Sequence, residues 1–138
     1  MINYFFENID PQDLHPNTSH WLENLIISEN KRPGEINYIF CDDDYLLKVN
    51  QDYLDHDYYT DIITFDYVKG KTISGDIFVS LPRILDNAST LSQNFESEFN
   101  RVLAHGLLHL CGYKDKTEEE QTQMRAKEDF YINQFKNF

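Results

Sequence analysis

Hydrophobic and polar positions along the chain change several times between strand spacing and helix spacing. Residues 2–9 form a short apolar and aromatic run that ends at Asp10-Pro11, which predicts a first strand. The next apolar positions recur at helical spacing, with Ser19 as the N-cap and Pro33-Gly34 as the stop: Trp21, Leu22, Leu25 and Ile26. The chain therefore opens with a strand followed by a helix.

The second segment repeats this order. Residues 35–41 alternate between apolar and polar, with Ile36, Tyr38 and Phe40 on one face, and predict another strand. The aspartates at positions 42–44 supply caps for a following helix, whose apolar positions are Tyr45, Leu46, Val49 and Tyr53.

The second half of the chain begins with two strand-like runs, residues 61–68 and 72–80, separated by Lys69-Gly70-Lys71, which predicts a hairpin. Three helices follow: residues 81–91, entered through Pro82; the most hydrophobic helix, from Asn94 to Gly112; and a last helix from Thr117 to about residue 135, opened by a capping box of Thr117 and Glu120. This order predicts an α+β fold with α/β layers, in which a mixed sheet of about four strands packs against about five helices. Because no repeat or linker divides the sequence, we expect residues 1–138 to form a single domain.

Charge, hydrophobicity and cysteine content limit the binding partners and the cellular compartment that we expect for this chain. The chain has 24 Asp plus Glu against 12 Lys plus Arg, a formal net charge of -12, which opposes binding to nucleic acid and to anionic membranes. It has no stretch of about 20 apolar residues and no signal-peptide pattern, so we expect neither a membrane span nor secretion. Two cysteines, Cys41 and Cys111, are too few for a disulfide framework and suggest a reducing compartment.

Two histidines, His105 and His109, lie four residues apart in the most hydrophobic helix. Four residues advance a helix by one turn plus about 40°, so both imidazoles project from nearly the same stripe and could chelate one metal ion. An isolated pair of this kind is more often satisfied by hydrogen bonds in a core. The residues after the pair favour the metal, because Gly112 can end the helix in a left-handed conformation and turn Asp115 back towards the histidines.

The pattern His-x-x-x-His-x-x-Gly-x-x-Asp therefore predicts a metal site on the central apolar helix and the turn after it. Two imidazoles and one carboxylate leave a fourth position open for water, as a catalytic zinc requires. The residue after His105 is Gly106, where helix-borne zinc peptidases carry a glutamate base, so peptidase chemistry of that type is disfavoured. Gly106 also predicts free space beside the metal.

The segment from His105 to Asp115, HGLLHLCGYKD, resembles the signature of the YbeY family of zinc-dependent bacterial endoribonucleases and rRNA maturation factors. Further similar blocks lie before and after it in order: residues 47–50 with Tyr53, residues 60–65, Gly75-Asp76-Ile77, and Glu120, Met124 and Glu128. The resemblance implies a metallohydrolase-like domain that cuts single-stranded RNA in the cytoplasm, in maturation of the 16S rRNA 3′ end and in ribosome quality control. It implies His105, His109 and Asp115 as metal and catalytic residues, one Zn²⁺ per chain, and as partners the 16S rRNA precursor and the small ribosomal subunit with its proteins or a GTPase, without DNA or membrane.

Three positions depart from the family pattern, and one of them is Tyr59, which replaces the usual proline before Thr60. The third ligand is usually a histidine and is Asp115 here, and an arginine that usually follows the tyrosine of the second-helix block is replaced by Leu54. The loss of that cation puts the contact with substrate phosphate in doubt, and seven basic residues could replace it: His56, Lys69, Lys71, Arg83, Arg101, Lys114 and Lys116.

Alternatives therefore stay open. A non-catalytic ribosome-assembly factor with a structural zinc would explain Leu54 and Asp115, and a zinc hydrolase of peptide or small amide substrates would use the same water. Asp76 could orient an imidazole, serve as an acid or base, or be a turn carboxylate. The aromatic stretch of residues 55–59 could stack bases.

Overall fold

The computed structural model describes residues 1–56 and 58–138. Its elements in chain order are β1 (Ile2–Glu7), α1 (Thr18–Ser28), β2 (Arg32–Cys41), α2 (Asp43–Leu54), β3 (Ile62–Asp66), β4 (Thr72–Ser80), α3 (Leu81–Thr90), α4 (Phe95–Leu110) and α5 (Glu118–Phe135). The prediction of an α+β fold with a four-stranded sheet and five helices is confirmed for the described part of the chain.

The sheet has the strand order β1-β2-β4-β3. Strand β2 pairs in parallel with β1 and with β4, whereas β3 pairs antiparallel with β4 and forms an edge of the sheet. The predicted hairpin of β3 and β4 is therefore confirmed, and the sheet is mixed as expected.

Helix α4 packs on one face of this sheet, against β3 and β4. Its apolar residues belong to the main core, in which Trp21, Leu103 and Leu107 are fully buried. Helix α2 covers the opposite face with a smaller cluster of Cys41, Leu46, Val49 and Ile63. The layered arrangement leaves the histidine stripe of α4 partly open beside the edge strand, since His105 and His109 are only half-buried.

Two hydrogen bonds from buried aromatic side chains tie these layers together. The Trp21 indole donates to the Tyr131 carbonyl at 2.8 Å and so joins α1 to α5. The Tyr38 hydroxyl donates to the Leu103 carbonyl at 2.9 Å and joins β2 to α4. Both polar atoms are thereby satisfied inside the core, as buried Trp and Tyr require.

The predicted helix starts are correct wherever a side chain accepts a capping hydrogen bond. Asp42 caps the Tyr45 amide at 2.8 Å, and Asn94 caps the Ser97 amide at 2.7 Å. The capping box of Thr117 and Glu120 is also present. These starts are local events that need no tertiary contact, which is why the sequence predicts them well.

The first helix differs at both ends from the prediction. Its N-cap is Asn17, while the Ser19 hydroxyl instead bonds the Tyr4 hydroxyl at 2.9 Å. The helix ends at Ser28, and Asn30 turns the chain with φ 62. Pro33 and Gly34 lie inside β2, where the pairing with β4 is irregular between Pro33 and Ile36.

None of the helices in the described ranges is both long enough and apolar enough to cross a bilayer.

Two glycines of this packing should respond differently to alanine. A Cβ on Gly75 would lie 2.5 Å from the backbone oxygen of Phe65, so the β3–β4 pair would have to shift. A Cβ on Gly106 would lie 3.0 Å from side-chain methyl groups of Ile62 and Ile77, which can adjust. Alanine is also more favourable than glycine inside a helix by about 1 kcal/mol. We expect Gly75→Ala to lower the free energy of unfolding by about 1–3 kcal/mol and Gly106→Ala to change it by less than about 1 kcal/mol.

Urea unfolding of the two metal-free variants against the wild type measures this difference. An equal or larger loss of stability for Gly106→Ala would contradict the packing described for α4.

Candidate metal centre

The three side chains predicted as ligands converge at the end of α4. The Nε2 atoms of His105 and His109 are 2.9 Å apart, and one Asp115 carboxylate oxygen lies 3.3 Å from the first and 3.2 Å from the second. One ligand atom from each residue fits within 4.8 Å of the others, which is the arrangement of a possible metal site.

A glycine-dependent helix end brings Asp115 to this position. Gly112 adopts φ 110; its amide donates to the His109 carbonyl, and the Tyr113 amide donates to the Leu108 carbonyl, each at 3.0 Å. These two hydrogen bonds form a Schellman motif, which reverses the chain within a few residues. The predicted glycine turn is therefore present, and it directs the carboxylate back to the helix.

Both imidazoles are held from behind through their other ring nitrogen. The His105 Nδ1 lies 2.6 Å from a Glu128 carboxylate oxygen, and the His109 Nδ1 lies 2.9 Å from the Tyr113 carbonyl oxygen. A carbonyl and an ionised carboxylate only accept hydrogen bonds, so both Nδ1 atoms must carry the proton. In the neutral rings the lone pairs are then on Nε2, the atoms that face each other.

In this arrangement three atoms with lone pairs lie close together, and no hydrogen-bond donor lies between them. Two Nε2 lone pairs and a carboxylate oxygen converge on one point, and only a proton or a cation can relieve their mutual repulsion. Two nitrogen ligands and one oxygen ligand suit Zn²⁺, and the half-exposed Asp115 leaves room for a further ligand. The residues present therefore fit a metal of the predicted type.

The carboxylate of Glu128 belongs to a larger ion-pair network. Its side chain is 6% exposed, and Arg101 donates to its second oxygen at 2.9 Å and to Asp129 at 2.7 Å. Burial alone would raise the pKa of Glu128, but the hydrogen bonds from His105 and Arg101 outweigh it and lower that pKa. Burial likewise opposes protonation of His105, yet Glu128 and the neighbouring carboxylates raise its pKa in the metal-free chain. Both pKa shifts are those expected when an ionised carboxylate lies against the His105 Nδ1.

A second carboxylate, on a side chain that is 9% exposed, supports the turn that carries Asp115. Glu29, at the end of α1, accepts hydrogen bonds from the hydroxyls of Tyr113 and Tyr131, the first at 2.6 Å, and from Lys127 at 3.2 Å. Burial raises the pKa of Glu29, but the three donors outweigh it and the net shift is downward. Since the Tyr113 carbonyl also holds His109, this cluster fixes the ligand turn against α1 and α5.

The centre opens into a cleft of about 530 Å³ between the end of α4, the edge strand β3 and the loop after α2. The buried Asn50 side chain holds this loop by donating to the Tyr58 carbonyl at 2.9 Å. Asp61 lines the same cleft, and burial raises the pKa of its carboxyl group. The cleft therefore contains a second carboxyl group close to His105 that the sequence did not single out.

The predicted replacements for the family arginine are mostly engaged elsewhere. Arg101 is bound by Glu128 and Asp129, Arg83 by Asp43 at 3.0 Å, and Lys114 lines a separate groove beside Glu29. Lys69 and Lys71 lie in the hairpin turn, outside the lining of the cleft. Of the seven basic residues, only His56 and Lys116 line the cleft, together with Leu54.

Three further predictions can be placed. Asp76 lies on the sheet face opposite to its neighbours Gly75 and Ile77, which face α4, and it accepts a hydrogen bond from Asn37 at 3.0 Å, so it does not orient an imidazole. Gly106 faces Ile62 and Ile77 of the sheet, so the space that its missing side chain leaves lies on the sheet side of α4. In the aromatic stretch the His56 and Tyr58 rings stack at 5.2 Å, while Asp57 lies outside the described residues.

Sequence reasoning missed the two groups that hold the imidazoles. Glu128 is marked in the sequence only by its place in a family block, and no spacing rule connects position 128 with position 105 in a different helix. The Tyr113 carbonyl is a backbone group, and its only sequence signal is the helix end at Gly112, which sets the path of the turn.

Known proteins that are similar to this chain identify its family. Residues 3–136 match the family described as Endoribonuclease YbeY. The chain belongs to the YbeY family. The YbeY relative from Flavobacterium johnsoniae is 54% identical over 135 residues, covering 98% of this chain and 97% of the relative. That from Cytophaga hutchinsonii is 60% identical over 111 residues, covering 79% and 77%.

The fold of this YbeY family member also resembles a solved structure. The solution structure of a protein from Thermotoga maritima, TM1509, superposes with a TM-score of 0.69 and 27% identity. The superposition covers 96% of this chain and 87% of the other. The mixed sheet with its helices is therefore shared with a relative of low sequence identity.

The Glu29 cluster predicts a defined pH dependence of stability. The folded pKa of Glu29 lies below its unfolded value of about 4.3, so its contribution is complete above that value and is lost as the pH falls through the folded pKa. We expect Glu29→Gln to lower the free energy of unfolding by about 1–3 kcal/mol at pH 7 and by progressively less below about pH 4.

Denaturant unfolding of the metal-free protein across this pH range measures the difference. Glu7→Gln, which neutralises an exposed carboxylate on β1, serves as the control and should change stability by less than about 0.5 kcal/mol. A loss for Glu29→Gln that is the same at pH 3 and pH 7 would contradict the assignment.

Proposed function

We propose that this protein is a zinc-dependent endoribonuclease that cuts single-stranded RNA, with His105, His109 and Asp115 as metal ligands and catalytic residues. The observation that carries the proposal is the convergence of two Nε2 atoms and one carboxylate oxygen whose supporting hydrogen bonds leave only a cation or a proton to fill the gap. The family match and the relatives named Endoribonuclease YbeY support RNA as the substrate class.

The chain supplies the environment for this chemistry. Bound zinc would lower the pKa of a water ligand and polarise a phosphoryl oxygen. His105 and His109 would hold the ion as neutral imidazoles, and Asp115 would compensate one of its charges. Asp61, whose pKa is raised by burial, lies in the same cleft and could exchange a proton with the reacting groups.

The proposal extends to the place of action that the family resemblance implies: maturation of the 16S rRNA 3′ end and ribosome quality control, in the cytoplasm. The charge of the cleft favours delivery of RNA by partners. Among the described residues, its lining carries Asp61, Asp66 and Asp115 against a single lysine, Lys116, so intrinsic affinity for phosphate should be low. Ribosomal proteins of the small subunit, or a GTPase bound to it, would then present the strand.

The same acidic lining favours one alternative, a non-catalytic ribosome-assembly factor that keeps the zinc for structure. Single-turnover cleavage of a purified RNA, with and without chelator, separates the two. Peptide hydrolysis of the helix-borne type has less support, because the position after His105 is a glycine packed against the sheet.

The metal assignment predicts about one Zn²⁺ per chain in the purified protein. His105→Ala, His109→Ala and Asp115→Ala should each lose the metal at micromolar zinc together with RNA cleavage. Asp115→His should keep the metal, because it restores a ligand that suits zinc. Metal content by elemental analysis and affinity by chelator competition are the measurements.

His20→Ala is the matched control, since this histidine lies on α1 and packs against Phe138, away from the cleft. It should retain both metal and cleavage. RNA cleavage that persists in metal-free protein would overturn the proposed mechanism.

Leu54 allows a gain of function to be predicted. It lines the cleft at 38% exposure, where the family usually carries an arginine, so Leu54→Arg should add one cation for substrate phosphate. We expect a lower KM for single-stranded RNA and a salt dependence of binding steeper by about 0.7 in the log–log slope.

Leu85→Arg adds the same charge at an exposed leucine on α3, outside the cleft lining, and should leave KM nearly unchanged. Equal effects of the two variants would show that net charge, rather than position, limits RNA binding.

A further inference from the structure

Glu128 contacts the metal centre without reaching the metal position. It projects from α5, and one of its carboxylate oxygens lies 2.6 Å from the His105 Nδ1, while Arg101 donates to the other at 2.9 Å. With a side chain only 6% exposed, it has little access to water for any other hydrogen bond.

The hydrogen-bond donors and acceptors around Glu128 allow only one assignment of the protons. A guanidinium group can only donate, so one oxygen is occupied by Arg101 as an acceptor. The other oxygen, in an ionised carboxylate, also accepts only, so the His105 Nδ1 must be the donor. The Nε2 atom of the neutral ring is thereby left with its lone pair towards His109 and Asp115.

We propose that Glu128 and Arg101 are a positioning pair that fixes His105 in the tautomer protonated on Nδ1 and so opens its Nε2 for the metal. The proposal deepens the metal-binding function proposed above and rests on it. Carboxylates that hold a ligand imidazole in this manner raise its basicity and fix its orientation.

Arg101 is essential to this positioning because it donates to the second Glu128 oxygen and so occupies it. Its other end is held by Asp129 at 2.7 Å, so it stays in place between the two carboxylates. Arg125 lies 3.8 Å from the same Glu128 oxygen, beyond hydrogen-bond distance, and its side chain is 61% exposed. Arg101 is thus the guanidinium that sets the acceptor requirement.

Glu128→Gln tests the pair without changing the size of the side chain. Glutamine has one oxygen and one NH₂ group. If its oxygen accepts from Arg101, its NH₂ group faces His105 and can donate only to an unprotonated Nδ1. The proton of the ring then moves to Nε2, and the metal loses that lone pair. We expect zinc affinity to fall by about 10- to 100-fold, measured by competition with a chelator.

The double variant Arg101→Met/Glu128→Gln separates positioning from a merely structural role. Without the guanidinium, the glutamine oxygen is free to accept from the His105 Nδ1, and the original tautomer returns. We therefore expect the double variant to recover most of the zinc affinity that Glu128→Gln loses. If the two residues only stabilised the fold, the double variant would bind zinc no better than the single one.

A direct readout comes from the metal-free protein. Imidazole ¹⁵N NMR at a pH where His105 is neutral distinguishes its tautomers: we expect Nδ1–H in the wild type, Nε2–H in Glu128→Gln, and Nδ1–H again in the double variant. Glu119→Gln, which makes the same kind of change at an exposed carboxylate of α5, is the control and should leave tautomer and zinc affinity unchanged.

An Nδ1–H tautomer in Glu128→Gln, or a double variant that fails to recover, would overturn the inference. The NMR result does not depend on zinc, so the two proposals can fail separately. A wild type that binds no zinc would refute the proposed function, whereas the tautomer measurements would still decide the role of Glu128.

Discussion

The hydrogen bonds that the two Nδ1 atoms donate are the constraint on which the geometry of the candidate metal centre depends. An imidazole offers a lone pair on one nitrogen only when the other nitrogen carries the proton, and Glu128 and the Tyr113 carbonyl impose that condition on His105 and His109. Once both rings are oriented in this way, their Nε2 atoms and Asp115 have to share a cation or a proton. The chemistry of the site therefore depends on the groups that accept hydrogen bonds from the Nδ1 atoms as much as on the candidate ligand atoms themselves.

Much of the fold serves to keep those supporting groups in place. Helix α5 carries Glu128, and it is fixed to α1 by the bond from Trp21 to the Tyr131 carbonyl and by the carboxylate of Glu29. Glu29 also holds the Tyr113 hydroxyl, and the backbone carbonyl of the same tyrosine orients His109. A single acidic residue at the end of α1 therefore connects the first helix, the last helix and the ligand turn.

In this acidic chain, several of the few basic side chains are held in ion pairs within the structure: Arg83 with Asp43, Arg101 with Glu128 and Asp129, and Lys127 with Glu29. They stabilise the architecture around the centre and are not available to a phosphate backbone. This explains how a member of an RNA-cleaving family can have a cleft with so little positive charge, and it makes the presentation of RNA by other molecules central to the proposed function.

The family pattern and the local structure could be predicted from the sequence because each depends on residues close together in the chain. The stripe of His105 and His109, the glycine turn to Asp115 and the capped starts of α2, α4 and α5 are of this kind. The end of α1 was misplaced, because Pro33 and Gly34 suit the irregular pairing of β2 with β4 and not a helix end. The sheet face on which Asp76 lies and the direction in which Gly106 faces could not be predicted, because the packing of α4 on the sheet sets both.

The sequence by itself determined which residues could bind a metal and on which local elements they lie. Only the tertiary structure decided which ring nitrogens converge with Asp115 and which cations remain free for a substrate. Those properties depend on contacts between residues far apart in the chain, such as Glu128 with His105 and Glu29 with Tyr113, for which local spacing carries no signal. Hydrogen-bond donors and acceptors are assigned by such neighbours, and the neighbours exist only after α5 has packed against α1 and α4.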